Sequence, residues 1–252
     1  MSFLGMSGLE IIGMFFVGIA VGVSKVGIPG AIITSPILST IYNGPAAQGL
    51  LIPAVTVSDF SALYYFGKNV DKKALKKTLP TAIIGIILAI WVGKSISEDT
   101  FKKVVAIIII FVCILTILKN KNVNFSKFSI IFGALSGFSS TIGNVAGPLV
   151  SIYFLNVDLD KDKFYGTRTW FFFVMNTLKF ILYALVWKNI TSATLLKSTF
   201  AFPGVILGVY FGKKLVERFS QKTFEKFIII FSMLSALNLL FGGTIKTLIS
   251  KI

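Results

Sequence analysis

Apolar residues run through this chain in long continuous stretches that are separated by short polar segments. Six stretches of about 18 to 23 residues are long enough to cross a bilayer as α-helices. Their apolar residues do not alternate with polar ones, which favours helices over the strands of a membrane β-barrel. The six stretches are Gln48–Phe66, Leu79–Ile96, Phe101–Leu118, Tyr165–Trp187, Leu195–Leu215 and Phe224–Phe241.

Two further apolar regions are interrupted by glycine and proline. Leu9–Ser24 and Ala31–Tyr42 are both shorter than the ~20 residues of a spanning helix, and Lys25–Gly30 (Lys-Val-Gly-Ile-Pro-Gly) separates them. About 116 residues later, Phe125–Ile142 is followed by Gly143–Pro148 and a short apolar run that ends at Val157. Interrupted apolar segments at corresponding places of two halves point to the binding site of a transporter.

Single residues repeat between the halves as well. Pro80 and Gly85 recur as Pro203 and Gly208, 123 positions later, and Ser97–Lys103 resembles the segment that begins at Ser220 at the same spacing. The pattern predicts two repeats of five helical elements, residues 1–118 and 125–252, joined by a linker over residues 119–124. Each repeat opens with a broken or re-entrant helical hairpin. Because five is odd, we expect the repeats to have opposite orientations in the membrane.

The loop charges support this arrangement. If each broken pair returns to the side from which it entered, one side of the membrane receives 15 Lys and Arg residues and the other receives 7. The positive-inside rule then places both termini outside. The rule does not distinguish two short crossings from a re-entrant hairpin. In either case the two hairpins enter from opposite faces, and we expect their tips to meet near the midplane.

Composition agrees with an all-α polytopic membrane protein. The chain has 252 residues, of which 55% are hydrophobic and 14% charged, and its mean hydropathy is +0.85. The net charge of +15 comes mostly from short loops, so we expect no nucleic-acid partner. The chain has no histidine and one cysteine, and it has no nucleotide-binding loop or catalytic triad. We therefore predict no metal site, no cofactor and no enzymatic activity.

Four charged residues fall inside the apolar stretches or at a break: Lys25, Asp59, Arg168 and Lys179. Ionisable groups at membrane depth are costly and are candidates for function. We expect an ion pair of Asp59 with Lys25 or with Lys179, which would serve the site or only fix helix packing. Arg168 could instead extend its side chain toward the membrane surface. The excess of positive charge suits an anionic substrate.

The two breaks complete the predicted site. A helix that starts after Gly30, and another after Pro148, would each present unpaired backbone N–H groups and a positive dipole end. Such a helix start binds oxyanions, and glycine permits the close approach. The predicted substrate-binding residues are Lys25, Gly27, Pro29, Gly30, Asn144, Ala146, Gly147, Arg168 and Lys179, with Asp59 as the ion-pair or coupling residue.

Both breaks resemble the glycine-rich signatures of the TauE/SafE family of sulfite and organosulfonate transporters. Gly27–Ala31 leading to Pro36 stands in place of the first signature, and Gly143–Pro148 in place of the second. Lys68–Asp71 is similar to a third family motif, whereas Arg168 replaces a serine. The resemblance implies a multi-pass transporter of the cell membrane that moves small sulfur anions, often outward. An anion channel and a non-transporting scaffold subunit are the alternatives, and homo-oligomerisation is left open.

Overall fold

The structure is a computed structural model that describes residues 6–28, 30, 34, 45–92, 98–117, 125–142, 144–157 and 159–249. The described residues form α-helices with short 3-10 and π turns and contain no β-sheet. The α-helices are α1 Gly8–Val23, α2 Pro45–Phe66, α3 Lys72–Val92, α4 Glu98–Ile117, α5 Ser129–Ile142, α6 Ala146–Leu155, α7 Lys161–Leu182, α8 Ser192–Ser198, α9 Phe202–Glu217 and α10 Gln221–Ile249.

Six helical segments in this part of the chain are long and apolar enough to cross a membrane. The first is Gly8–Val26, so the expectation that this arm is too short to cross is wrong. The helix begins before Leu9 and continues through a 3-10 turn over Ser24–Val26, and the two together span about 30 Å. By contrast, α6 has 10 residues and spans only about 15 Å, which is half of the hydrocarbon thickness.

The helix α3 begins earlier than the apolar pattern predicts. Its first residue is Lys72, so the lysines that were expected in a loop lie on the first two turns of the helix. The side chain of Asp71 caps the N-terminus of the helix, because its Oδ1 accepts a hydrogen bond of 2.8 Å from the backbone N–H of Ala74. Hydropathy marks only the part of a helix that lies in lipid, and it misses such a polar first turn.

Two compact units divide the chain. The first consists of Met1–Val70 and Tyr165–Phe219, and the second of Asp71–Phe164 and Ser220–Ile252. Each unit therefore contains segments from both halves of the sequence. In the first unit α1 packs on α9 with the two backbones in direct contact, because a Cβ atom at Gly18 or Gly22 would overlap the backbone of Ala201 or Val205.

The second unit contains a matching pair of helices, α3 and α5. A Cβ atom at Gly133 or Gly137 would overlap the backbone of Thr78 or Ala82, and one at Gly85 would overlap that of Ala134. Each of these contacts corresponds to a contact of the first pair at a constant sequence offset. Gly133 and Gly137 lie 115 positions after Gly18 and Gly22, while Ala201 and Val205 lie 123 positions after Thr78 and Ala82. Gly85 with Ala134 likewise matches Gly208 with Ile19.

Within the first unit, α2 and α7 are antiparallel neighbours. The end of α2 lies beside the start of α7, where Trp170 Nε1 donates to the carbonyl of Gly67 at 3.0 Å. In the second half of α2, the rings of Phe60 and Phe173 meet edge to face with centroids 5.1 Å apart. At the start of α2, a Cβ atom on Gly49 would overlap the carbonyl of Asn189, which follows α7. The pair brings polar residues from both helices to one place.

A single added methyl group should disrupt the glycine packing of α1. In Gly22→Ala the new Cβ would lie 2.5 Å from the carbonyl oxygen of Val205, and we expect the free energy of unfolding to fall by about 1–3 kcal/mol. Gly8→Ala is the matched control, because its Cβ meets nothing within 4 Å. Thermal unfolding of the purified protein in detergent measures both changes. Equal unfolding temperatures for the two variants would contradict the close packing.

Candidate functional site

One face of α7 carries the polar residues that build the site. Tyr165, Arg168, Phe172, Asn176 and Lys179 follow one another at intervals of three or four residues, which places them along one side of the helix. All five are buried, whereas many large apolar side chains elsewhere in the described part of the chain are exposed. The helix therefore directs two cations, a phenol and an amide into the interior of the first unit.

The first break follows the C-terminal end of α1. After the 3-10 turn, Gly27 adopts φ 96°, a left-handed conformation that costs little only for glycine, and its N–H donates to Ser24 O at 3.1 Å. Gly30 is packed against α1, because a Cβ atom there would overlap the carbonyl of Ala20. The N–H of Thr34 donates to Gly30 O at 2.9 Å with helical spacing. Pro29 and most of the predicted run Ala31–Tyr42 lie outside the described residues.

Side chains of α7 satisfy the carbonyl groups at the end of α1. Arg168 donates from Nη1 to Lys25 O at 2.6 Å and from Nη2 to Ser24 O at 3.1 Å, and Tyr165 donates its hydroxyl to Val26 O at 3.3 Å. These carbonyls lie at the helix end, where the following α-helical N–H groups are missing. Ser24 O also accepts from the N–H of Gly27, and a cation is favourable at this negative dipole end. Arg168 is buried, so the alternative in which it reaches toward the membrane surface is wrong.

The predicted ion pair between Lys25 and Asp59 is confirmed. Lys25 Nζ lies 2.5 Å from Asp59 Oδ1, and the other carboxylate oxygen accepts a hydrogen bond of 2.7 Å from Asn176 Nδ2. Asp59 therefore binds Lys25, in the first break, with one carboxylate oxygen and Asn176, on α7, with the other. Both bonds are buried, where a charged hydrogen bond is stronger than in water.

The buried charges are predominantly positive. In the described part of the chain, the buried charged residues are the four that the sequence places at depth, and their exposure ranges from 1% for Asp59 to 7% for Lys25. Lys179 interacts electrostatically with both Asp59 and Lys25, and Arg168 interacts with Asp59. One carboxylate thus faces three cations. An anion that enters this cluster would reduce the remaining positive charge.

The second break, in the other unit, ends at the start of α6. Asn144 has φ 52°, and the N–H of Val145 donates to Ser139 O at 3.2 Å. The helix begins at Ala146, so the expectation of a start after Pro148 is wrong. A proline fits within the first turn because the N–H groups there have no partner inside the helix. Val145, in the capping position, makes no side-chain hydrogen bond to the first turn. Gly143 lies outside the described residues.

Comparison with protein families identifies the chain. The family model described as sulfite exporter TauE/SafE matches residues 11–239. The chain belongs to the TauE/SafE family. Membership implies membrane transport of sulfur-containing anions, and it agrees with a multi-pass helical protein. Comparisons with curated proteins and with solved structures gave no match.

Two residues of this buried cluster are absent from the set predicted from sequence. Tyr165 donates to the carbonyl of Val26 at the end of α1, and Asn176 donates to Asp59. Both are neutral and stand among many aromatic and small polar residues, so a search for charge at membrane depth passes over them. A usable signal exists for Asn176, since it lies 117 positions after Asp59, as Gly166 does after Gly49.

Proposed function

We propose that this TauE/SafE protein is a secondary carrier that exports a small sulfur oxyanion or sulfonate from the cell, and that the cluster around Lys25 is its anion site. The observation that carries the proposal is the buried excess of positive charge around a single carboxylate, at the break that ends α1. Burying ionised groups is expensive, and a packing role alone would be served by apolar residues at lower cost.

The cations of the site have different roles in this proposal. Lys25 and Lys179 bind the anion, since an ammonium group can turn its three donors from Asp59 toward an incoming oxygen. Arg168 holds the end of α1 through two carbonyls and adds its charge to the field of the site. Gly27 and Gly30 let the backbone of the break approach the substrate closely. Pro29 belongs to the same break, where proline suits a helix start because no N–H is needed there.

The start of α6 is a second element for substrate oxygens. Its first turn offers the backbone N–H groups of Ala146 and Gly147, which follow Asn144 and have no acceptor within the helix. A helix start with a positive dipole end attracts oxyanions. In this proposal Asn144, Ala146 and Gly147 bind substrate oxygens at the start of α6, and the cations bind the anion within the first unit.

The carrier consists of two inverted repeats, residues 1–118 and 125–252. Support comes from the helix pairs α1 with α9 and α3 with α5, whose glycine contacts correspond at constant offsets of 115 and 123 positions. Opposite orientation is supported by the antiparallel course of α2 and α7, which occupy the same place in the two repeats. The loop charges favour both termini outside the cell membrane. Alternating access would follow from movement of one repeat against the other.

Binding and flux measurements test the function. Purified protein is heated with sulfite, thiosulfate, sulfate, a small sulfonate or a small carboxylate, and we expect sulfite or the sulfonate to raise the unfolding temperature most. Chloride at matched ionic strength is the control for general salt effects. The best ligand is then loaded into proteoliposomes, and its efflux should saturate with concentration.

The alternatives give different results in the same experiments. Large single-channel currents in a planar bilayer would indicate an anion channel. A protein that neither binds nor moves any of the anions would be a scaffold subunit, and this outcome would overturn the proposed function.

A further inference from the structure

The helices α2 and α7 contact each other reciprocally. Gly49, near the start of α2, packs on the carbonyl of Asn189 after α7, and Gly166, near the start of α7, packs on the carbonyl of Asn69 after α2. Gly166 lies 117 positions after Gly49, and Asn189 lies 120 positions after Asn69. The same contact is therefore made twice with the two helices exchanged. Exchange of this kind is the property of a two-fold interface.

Asp59 and Asn176 are equivalent in this relation. Each lies ten residues after the glycine of its own helix, so the offset of 117 positions continues unchanged. The two side chains bind each other, with Asn176 Nδ2 at 2.7 Å from Asp59 Oδ2. A residue that touches its own equivalent lies on the two-fold axis that relates them. The hydrogen bond therefore marks the local axis between α2 and α7.

Lys25, the ion-pair partner of Asp59, also has an uncharged equivalent in the second repeat. Lys25 lies three residues after Gly22, and Ser140 lies three residues after the equivalent Gly137. The first repeat thus has a lysine and an aspartate where the second has a serine and an asparagine. Both charges of the ion pair are confined to one repeat, and the second repeat has uncharged polar residues at both positions.

From this correspondence we infer that Asn176 is a positioning residue, which holds Asp59 on the local axis as the internal counter-anion of Lys25, and that a transported anion competes with Asp59 for that lysine. The inference rests on the proposed function, because it assigns which carboxylate offsets the charge of Lys25 when no anion is bound. One acid and one amide form the suitable combination: two aspartates this close could not both be ionised, and two asparagines would leave Lys25 without a counter-charge.

The environment of Asp59 makes this competition effective. The charged groups that face it in the described part of the chain are Lys25 on the turn after α1, and Arg168 and Lys179 on α7. A substrate anion at Lys25 would lie within a few ångströms of the carboxylate, and like charges at that distance repel strongly inside a protein. Asp59 therefore weakens anion binding and speeds release.

Exchange of the two residues tests the inference. Asp59→Asn should bind sulfite at least about tenfold more tightly than the natural protein and release it more slowly, because the competing charge is gone. Asn176→Asp should make binding depend on pH and favour acid, since a proton must then be shared between two carboxylates. The double variant Asp59→Asn, Asn176→Asp restores one acid and one amide on the axis, and its affinity should return to within about threefold of the natural protein.

Isothermal titration with sulfite at several pH values and thermal unfolding without anion provide the readouts. Asn156→Asp is the matched control, because Asn156 binds Thr116 and a backbone carbonyl in the second unit. The affinity of this variant for sulfite should equal that of the natural protein. An exchanged double variant that binds no better than Asn176→Asp would overturn the inference, as would unchanged affinity in Asp59→Asn. If the natural protein binds no anion, the proposed function fails. The thermal stability of the double variant Asp59→Asn, Asn176→Asp then still decides whether positions 59 and 176 are equivalent.

Discussion

Replacing Lys25 with methionine should strongly weaken the stabilisation of the protein by sulfite and also destabilise the anion-free protein. The substitution leaves Asp59 buried without its cation, and breaking a buried pair in this way costs about 3–5 kcal/mol. The same substitution removes a charged hydrogen-bond donor to the substrate, which corresponds to a loss of affinity of about 10- to 100-fold. Thermal unfolding in detergent with increasing sulfite measures both effects on one sample.

A double variant separates the structural role of Lys25 from its role in binding. Lys25→Met combined with Asp59→Asn contains neither charge, so most of the lost stability should return, because a buried ion pair contributes little beyond its own desolvation cost. Affinity for sulfite should remain low, since the donor is still absent. Recovery of both stability and affinity would mean that Lys25 only neutralises Asp59.

Lys72→Met provides the control for loss of a positive charge. Lys72 is exposed at the start of α3, where water and salt screen its charge. We expect its affinity for sulfite to remain within about twofold of the natural protein, because exposed charges act weakly at a distance. Equal losses of affinity in the Lys25 and Lys72 variants would contradict the assignment of the anion site.

Five of the six stretches predicted to cross the membrane, all except Phe101–Leu118, correspond to helices that are long and apolar enough in the described part of the chain. The buried charges were predicted as well, because both features depend on the free energy of transfer into an apolar environment. Glycine and proline in the two breaks also locate the ends of α1 and the start of α6 within a few residues. The candidate residues Lys25, Asp59, Arg168 and Lys179 stand out for the same reason, since an ionised side chain is rare at that depth. The burial of all four follows from chemistry that is visible in the chain.

The partners of these residues are not predictable from hydropathy. Arg168 binds two backbone carbonyls of a helix end, and nothing in its neighbouring sequence specifies that acceptor. The predicted start of α6 after Pro148 failed because proline is compatible with any position in the first turn of a helix. Asn176 could have been identified from the repeat, since it occupies the position of Asp59. Comparing the halves position by position adds information about contacts that a single hydropathy profile lacks.

Replacing Arg168 with leucine should lower the free energy of unfolding by about 3–5 kcal/mol. Two carbonyls at the end of α1 lose the guanidinium as a donor, although Ser24 O keeps the N–H of Gly27, and hydrogen bonds to a charged group contribute about 1.5–3 kcal/mol each. Arg168→Lys keeps the charge but cannot bind both carbonyls with a planar fork, so its loss should be intermediate. Tyr165→Phe removes one neutral bond to Val26 O and should cost about 1 kcal/mol. The control is Arg218→Lys, because Arg218 is exposed at the end of α9.

Sulfite titration of the same variants decides how Arg168 acts. If its role is to fix the end of α1, Arg168→Lys should lose stability while its affinity for sulfite falls only several-fold, since the positive charge remains near the site. A loss of affinity of a hundredfold with unchanged thermal stability would instead make Arg168 a direct ligand of the anion. If Arg168→Leu unfolds at the same temperature as the natural protein, the two hydrogen bonds from Arg168 to the backbone carbonyls would be contradicted. Because those bonds hold the backbone that carries Lys25, the geometry of the first break depends on a side chain from a helix 143 residues farther along the chain.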